Sequence, residues 1–209
     1  MPRIAYFGPS GTFSEMALAD FETSGCFDGP VQRIAAPSQP AALAAVRAGE
    51  VAAAVVPIES SVEGSISATL DSLALGPRLQ IVAETELEVT FTLVARPGTK
   101  IDEVQTLAAY PVALAQVRQW VQRTWPEVRV HTADSNAAAA HDVVAGLADA
   151  GVSTALAGER LGLAVLAAGV ADHDSAVTRF VLVTPPRVAP APTGADRTSI
   201  VLEHLPNTP

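Results

Sequence analysis

The sequence has little of two residue types that often carry chemistry, since Cys26 is the only cysteine and Lys100 the only lysine in 209 residues. One cysteine excludes an intramolecular disulfide, so we expect a reducing, cytoplasmic location. Lys100 follows Pro97-Gly98-Thr99 in a predicted loop, which makes it a poor candidate for Schiff-base catalysis.

The chain also lacks a long apolar run. The longest stretch, residues 161–171, is shorter than the ~20 residues that a membrane-spanning helix needs. No basic segment followed by an apolar one precedes Ile4, so we expect no export signal. We therefore expect no membrane partner.

Signatures of metals and nucleotide cofactors are missing as well. The histidines show no metal-ligand spacing with one another or with Cys26: His131, His141, His173 and His204. Neither a G-x-G-x-x-G fingerprint nor a G-K-[ST] phosphate loop occurs, which disfavours nicotinamide and nucleotides. We expect a site that works without a metal or a cofactor.

Positive charge is scarce, and the formal net charge is −9. This balance argues against nucleic acid as a partner. A hydrophobic content of 49% over 209 residues predicts one or two domains with a proper core. If the ligand is an anion, its site must be positive locally.

Short β-branched segments alternate with alanine-rich segments, which predicts an α/β fold. Strands are predicted at residues 3–7, 31–35, 51–56, 106–109, 128–132, 152–155 and 179–183. Helices are predicted at residues 15–23, 39–48, 112–123, 137–147 and 159–168.

Residues 79–94 are extended in character without Gly or Pro, and they exceed the ~5–6 residues of a typical strand. We interpret this segment as passing from one lobe to another, with the strand at 179–183 returning. Two such crossings predict a two-lobed, periplasmic-binding-protein-like fold with the ligand between the lobes. A single doubly wound sheet with a long edge strand is the alternative.

Three predicted strands are followed by a polar helix start. Thr12-Phe13-Ser14-Glu15 fits a capping box, in which the Thr12 hydroxyl accepts from the N–H of residue 15. Ser60-Ser61 and Asp134-Ser135-Asn136 occupy similar positions after their strands. Ligands of open α/β sheets bind at this edge, where helix N-termini attract anions. Any one of these starts alone is more often an ordinary cap.

Three segments together resemble the prephenate dehydratase family. They are Gly8-Pro9-Ser10-Gly11-Thr12-Phe13-Ser14, Pro57-Ile58-Glu59-Ser60-Ser61-Val62-Glu63-Gly64 and Thr178-Arg179-Phe180. The resemblance covers residues 4–183 and implies a carbon-oxygen lyase that converts prephenate to phenylpyruvate, water and carbon dioxide. Ser60 and Ser175 stand where family members commonly have Asn.

The resemblance also implies roles for individual residues. Thr178 is expected to hydrogen-bond the departing hydroxyl, and Arg179 to bind a substrate carboxylate or else form a structural ion pair. The remaining candidates for substrate binding are Thr12, Ser61, Ser135, Phe180, Glu59 and Gln116. Phe180 also suits core packing, and Glu59 also suits pairing with an arginine.

The expected catalytic domain spans residues 1–184, with one lobe at about 1–88 and 177–184 and the other at about 89–176. A proline-rich linker, 185–196, precedes residues 197–209, which resemble the first strand of a truncated ACT domain or else cover a sheet edge. We expect a homo-oligomer, a dimer or tetramer. An arogenate dehydratase and a non-catalytic binding protein for small anions are the alternative functions.

Overall fold

The computed structural model of the chain describes residues 1–172, 176–188, 191–192, 194–198 and 200. The first part of the chain forms β1 (Arg3–Phe7), α1 (Phe13–Thr23), β2 (Gln32–Ala36), α2 (Gln39–Arg47), β3 (Ala53–Ser60), β4 (Gly64–Ser65), α3 (Ser67–Ala74) and β5 (Gln80–Glu88). The remainder forms β6 (Thr92–Ala95), β7 (Thr106–Ala109), α4 (Pro111–Gln116), α5 (Arg118–Thr124), β8 (Arg129–Thr132), α6 (Asn136–Val144), β9 (Ala150–Ser153), α7 (Ala155–Arg160), β10 (Ala164–Ala168) and β11 (Val177–Thr184).

The strands form two sheets. The first sheet has the order β2-β1-β3-β11-β5, with β4 paired to β3. Its β1 is parallel to β2 and β3, whereas β11 is antiparallel to both of its neighbours. The second sheet has the order β10-β6-β9-β7-β8. Two sheets confirm the two-lobed α/β fold, and the single-sheet alternative is wrong.

The extended segment 79–94 is two strands in different sheets, because β5 belongs to the first and β6 to the second. Its interpretation as a passage between lobes agrees with this arrangement. We call the elements around the first sheet the first lobe and those around the second sheet the second lobe. The chain returns to the first lobe as β11.

The predicted helix at 159–168 is wrong over most of its length. The helix α7 ends at Arg160, and β10 pairs antiparallel to β6. A short run of Ala, Val and Leu has no decisive periodicity, so its distant partner strand determines its conformation. The predicted helix at 112–123 is interrupted at Val117, whose φ of −117° lies outside the helical region.

Hydrophobic residues fill both faces of the first sheet. Phe180 and Leu182 of β11 pack with Leu18 and Phe21 of α1 on one face. The intervening Val181 and Val183 pack against α2 on the other face. The second lobe has its own core, which includes Trp125 of the segment after α5. Each lobe therefore buries hydrophobic residues between its own sheet and its own helices.

No helix in the described part of the chain is long and apolar enough to cross a membrane. The interpretation of residues 197–209 as the start of an ACT domain falls mainly outside the described residues, and so do Ser175 and His173.

Candidate active site

Residues 8–12 connect β1 to α1 at the carboxyl edge of the first sheet. The Thr12 hydroxyl donates to the Phe7 carbonyl at 3.0 Å, and Thr12 is buried. The predicted hydrogen bond from the N–H of residue 15 to the Thr12 side chain is therefore wrong. Instead, the Glu15 carboxylate accepts from the N–H of Gly11 at 2.8 Å, which follows from the turn at Gly11 with its φ of +89°.

Glu15 is the centre of a buried cluster of charges, and only 4% of its surface is exposed. Arg33 lies 3.2 Å from one carboxylate oxygen and also pairs with Glu22 at 2.7 Å. Arg160, from the second lobe, donates to the other oxygen and to Ser10 Oγ. Burial alone would raise the pKa of Glu15, but the hydrogen bonds from Arg160, the Gly11 N–H and Arg33 hold the pKa below its ordinary value.

The two lobes are in direct contact beside this cluster. The buried Thr154 hydroxyl donates to the Gly11 carbonyl at 2.7 Å and accepts from the N–H of Ala157 at 3.0 Å, so Thr154 caps the start of α7. The backbone of Gly11 lies so close to Ala157 that a Cβ on Gly11 would be 2.9 Å from the Ala157 Cβ. The rings of Phe13 and Phe91 meet edge to face at 6.3 Å. The loop at 8–12 is thus fixed from both lobes.

Ser135 caps α6 in the second lobe, as its position in the sequence predicts. Its hydroxyl accepts from the N–H of Ala138 at 3.0 Å. Ser153 donates to the Asn136 carbonyl at 2.6 Å, and Ser153 directly precedes the Thr154 that contacts the first lobe. The starts of α1, α6 and α7 therefore lie close to one another, and the Asn136 Oδ1 is buried there without a partner among the described residues.

Thr178 lies on β11, between β3 and β5, and pairs with Ser60 and Leu87. Side chains alternate along a strand, so Thr178 faces the same side of the sheet as Phe180, which is the side covered by α1. Because Ser60 ends β3, Thr178 is at the same sheet edge as the loop at 8–12. Thr178 is half-buried, and its hydroxyl has no hydrogen-bond partner among the residues that the structure describes.

Arg179 faces the opposite side of the sheet from Thr178. Its guanidinium pairs with Glu59 at 2.6 Å and with Glu84 at 3.1 Å. Arg197 pairs with Glu84 and Glu86 in the same network. Burial alone would lower the pKa of Arg179, but Glu59 and Glu84 outweigh it and raise the pKa. Of the two roles that the sequence suggests for Arg179, the structure contains the ion pair.

Ser61 joins β3 to the start of β11. Its N–H donates to the Val177 carbonyl at 2.8 Å, and its hydroxyl accepts from the Val177 N–H at 2.9 Å. An open cleft of about 380 Å³ lies beside these residues and is lined by Glu59, Ser61, Glu86, Val177, Arg179 and Arg197. Thr178 is not part of its lining. The candidates from β3 and β11 are thus divided between two faces of the first sheet.

Gln116 ends α4 in the second lobe. Its side-chain amide donates to the Val112 carbonyl of its own helix at 3.4 Å, and its backbone carbonyl accepts from the Asp172 N–H at 2.7 Å. It is joined through Asp172 to the segment that leads into β11. Its predicted contact with a ligand stays a prediction.

Sequence reasoning missed Arg160, Arg33 and Thr154. Glu15 was recognised only as a helix-capping residue, and its partner Arg160 lies 145 residues away in the sequence. No local pattern connects residues at such a separation. The signal that could have drawn attention to Glu15 is a carboxylate on the inner side of a helix that packs against a sheet, because buried carboxylates are almost always paired.

Comparison with known proteins shows the family to which the chain belongs. The family model described as prephenate dehydratase matches residues 4–187. Prephenate dehydratase of Mycolicibacterium vanbaalenii is 56% identical over the whole chain, which spans 70% of that protein. The structure of prephenate dehydratase from Arthrobacter aurescens in complex with L-Phe is 38% identical with a TM-score of 0.84, over 92% of this chain and 63% of that one. GqqA, described as a quorum-quenching acylase, is 25% identical over 91% of this chain and 66% of that one, with a TM-score of 0.73. The chain belongs to the prephenate dehydratase family.

Proposed function

We propose that this chain converts prephenate to phenylpyruvate with loss of water and carbon dioxide, and that the Thr178 hydroxyl assists the departure of the ring hydroxyl. The observation that carries the proposal is the environment of Thr178. Its hydroxyl is half-buried and unpartnered among the described residues, at the sheet edge where the two lobes meet. A hydroxyl that no described residue engages is a candidate to bind a ligand.

The reaction suits such a site. Prephenate becomes aromatic when it loses its ring carboxylate and ring hydroxyl, so the driving force lies in the substrate. The ring hydroxyl is a poor leaving group unless it is hydrogen-bonded or protonated as its bond breaks, and a positioned donor contributes about 10²–10⁴-fold. A threonine hydroxyl is a weak acid, so Thr178 donates a hydrogen bond or relays a proton to the departing oxygen.

The positive potential for a dianion comes from the fold in this proposal. The net charge of the chain is −9, and Arg179 is paired with two carboxylates on the far face of the sheet. The helices α1 and α6 both begin near the start of α7, since Thr154 donates to the Gly11 carbonyl and Ser153 to the Asn136 carbonyl. The first N–H groups of a helix have no intrahelical partners, which favours anions at such starts. In this proposal, Arg179 holds β11 against β3 and β5 through its ion pairs with Glu59 and Glu84. Ser135 and Thr12 hold the two helix starts in place.

The activity itself is tested by incubating the purified chain with prephenate, a metal chelator and no nucleotide, and by measuring phenylpyruvate in a spectrophotometric assay. We expect turnover under these conditions. Loss of turnover on chelation, or a requirement for nicotinamide, would contradict the proposal.

The same assay separates the alternative functions. A parallel reaction with arogenate decides between the two substrates, and binding of prephenate without its consumption would indicate a binding protein. The dehydratase relative at 56% identity favours this activity over the acylase named for GqqA at 25%.

The role of Thr178 is tested by substitution. Thr178→Val removes the hydroxyl and nearly preserves the volume, so kcat should fall by about 10²-fold or more while KM changes much less. Thr178→Ser should retain a good part of the rate. Thr184→Val is a matched control, because Thr184 is a buried threonine on the same strand whose hydroxyl donates to the Pro185 carbonyl at 2.9 Å. If Thr178→Val were as active as Thr184→Val, the donor would have to be another group.

A further inference from the structure

One ionic contact joins the two lobes through a carboxylate that is also paired within its own lobe. Glu15 belongs to α1 of the first lobe, whereas Arg160 is the last residue of α7 in the second lobe. Glu15 already has a cationic partner in its own lobe, since Arg33 lies 3.2 Å from its other oxygen. The carboxylate would therefore remain paired if the second lobe moved away.

The contact acts directly on the loop at 8–12. The carboxylate oxygen that accepts from Arg160 also accepts from the N–H of Gly11 at 2.8 Å and from Ser10 Oγ at 3.1 Å. Arg160 itself donates to Ser10 Oγ. One guanidinium from the second lobe therefore orients two consecutive residues of the loop that ends at Thr12.

Neighbouring contacts place the loop in the same position. Thr154 donates to the Gly11 carbonyl at 2.7 Å, and the Ala157 side chain fills the space where a Cβ of Gly11 would be. These two residues and Arg160 all belong to α7 or to its cap. The helix α7 thus contacts the loop through a hydrogen bond, a packing contact and an ion pair.

We propose that Arg160, through Glu15, is a positioning residue that holds the starts of α6 and α7 in the second lobe in a fixed position relative to the loop at 8–12 and Thr178 in the first lobe. The kinetic consequence rests on the dehydratase activity proposed above. Arg160 contacts no reacting atom in this proposal. It fixes the distance between a sheet edge in one lobe and helix starts in the other, and displacement of catalytic groups by about 1 Å can cost about 10²-fold in rate.

The test compares Arg160→Gln with Arg33→Gln. Both substitutions remove an arginine from the same carboxylate, and the two side chains have similar exposure, 39% for Arg160 and 29% for Arg33. Only Arg160→Gln breaks a contact between lobes. We expect kcat/KM to fall by at least about tenfold for Arg160→Gln and by no more than about threefold for Arg33→Gln, with both variants folded by circular dichroism. Arg160→Lys, which keeps the charge but not the fork of donors, should recover part of the loss.

Amide hydrogen exchange gives a readout that does not depend on activity. In Arg160→Gln, exchange should increase together in residues 8–15 of the first lobe and 155–160 of the second. In Arg33→Gln the increase should be confined to the first lobe, at β2 and α1. Equal losses of kcat/KM in the two variants, or an Arg160→Gln variant with wild-type kinetics, would overturn the proposal. If wild type does not consume prephenate, the dehydratase proposal fails, and the exchange pattern alone decides whether Arg160 joins the lobes.

Discussion

Gly11→Ala is the substitution that measures how firmly the two lobes are packed together. Gly11 has a φ of +89°, and a Cβ added there would lie 2.9 Å from the Ala157 Cβ and 3.1 Å from the Ala157 Cα. The second of these atoms is backbone, so the overlap cannot be relieved by a side-chain rotation. The substitution thus combines a backbone penalty with a steric clash between the lobes.

The two costs can be separated with Gly49→Ala. Gly49 has a similar φ of +72°, but nothing lies within 4 Å of the Cβ that alanine would add. The left-handed conformation costs a residue with a Cβ about 1–2 kcal/mol, and this cost is common to both variants. Overpacking in a close-packed region adds about 1–3 kcal/mol, and this cost applies to Gly11 alone. We expect Gly11→Ala to lose about 2–5 kcal/mol of unfolding free energy in total.

Urea unfolding of wild type and the two variants measures these values, provided that the slope with denaturant is unchanged. The difference between the variants should appear in Tm as about 2–4 °C for each kcal/mol. Equal losses, within about 0.5 kcal/mol, would show that α7 moves away from the loop at little cost. The proposal that α7 positions the loop would then lose its packing argument.

Three further perturbations test parts of the fold. The folded pKa of Glu15 lies below its ordinary value of 4.5, so its ionised form stabilises the fold above that pH and the stabilisation is lost as the pH falls through the folded pKa. The difference in unfolding free energy between wild type and Glu15→Gln should therefore shrink from pH 7 to pH 3 in urea titrations; a constant difference would refute this reasoning. Asp172→Ala should cost about 0.5–2 kcal/mol, since this carboxylate accepts two N–H groups at the start of α5, and thermal unfolding should show the loss. Thr69→Val should cost about 1–3 kcal/mol by the same measurement, because it leaves the buried Pro57 carbonyl without its donor at 2.6 Å; a loss below the error of measurement would contradict this.

Short-range chemistry made much of the first lobe predictable from sequence. The run that ends at Pro57 has the continuous apolar character of a strand buried on both faces, and β3 indeed lies in the middle of its sheet. In the second lobe, the cap at Ser135 follows from a hydroxyl before an alanine-rich helix. The strand β10 could not be predicted in this way, because its alanine-rich sequence suits a helix equally well and only β6 provides its partner.

The sequence by itself determined the alternation of strands and helices, the family and the strand that carries Thr178, because these depend on periodicity and on contiguous motifs. The tertiary structure decided which side chains lie in the same place in the folded protein. Thr178 and Arg179 are neighbours in the chain, but the alternation of side chains in β11 places them on opposite faces of the sheet. Glu15 and Arg160 are far apart in the chain, but they form an ion pair because the first turn of α1 lies beside the end of α7. Sequence patterns report contacts between near neighbours, whereas pairing of buried charges is determined by where the folded lobes come together.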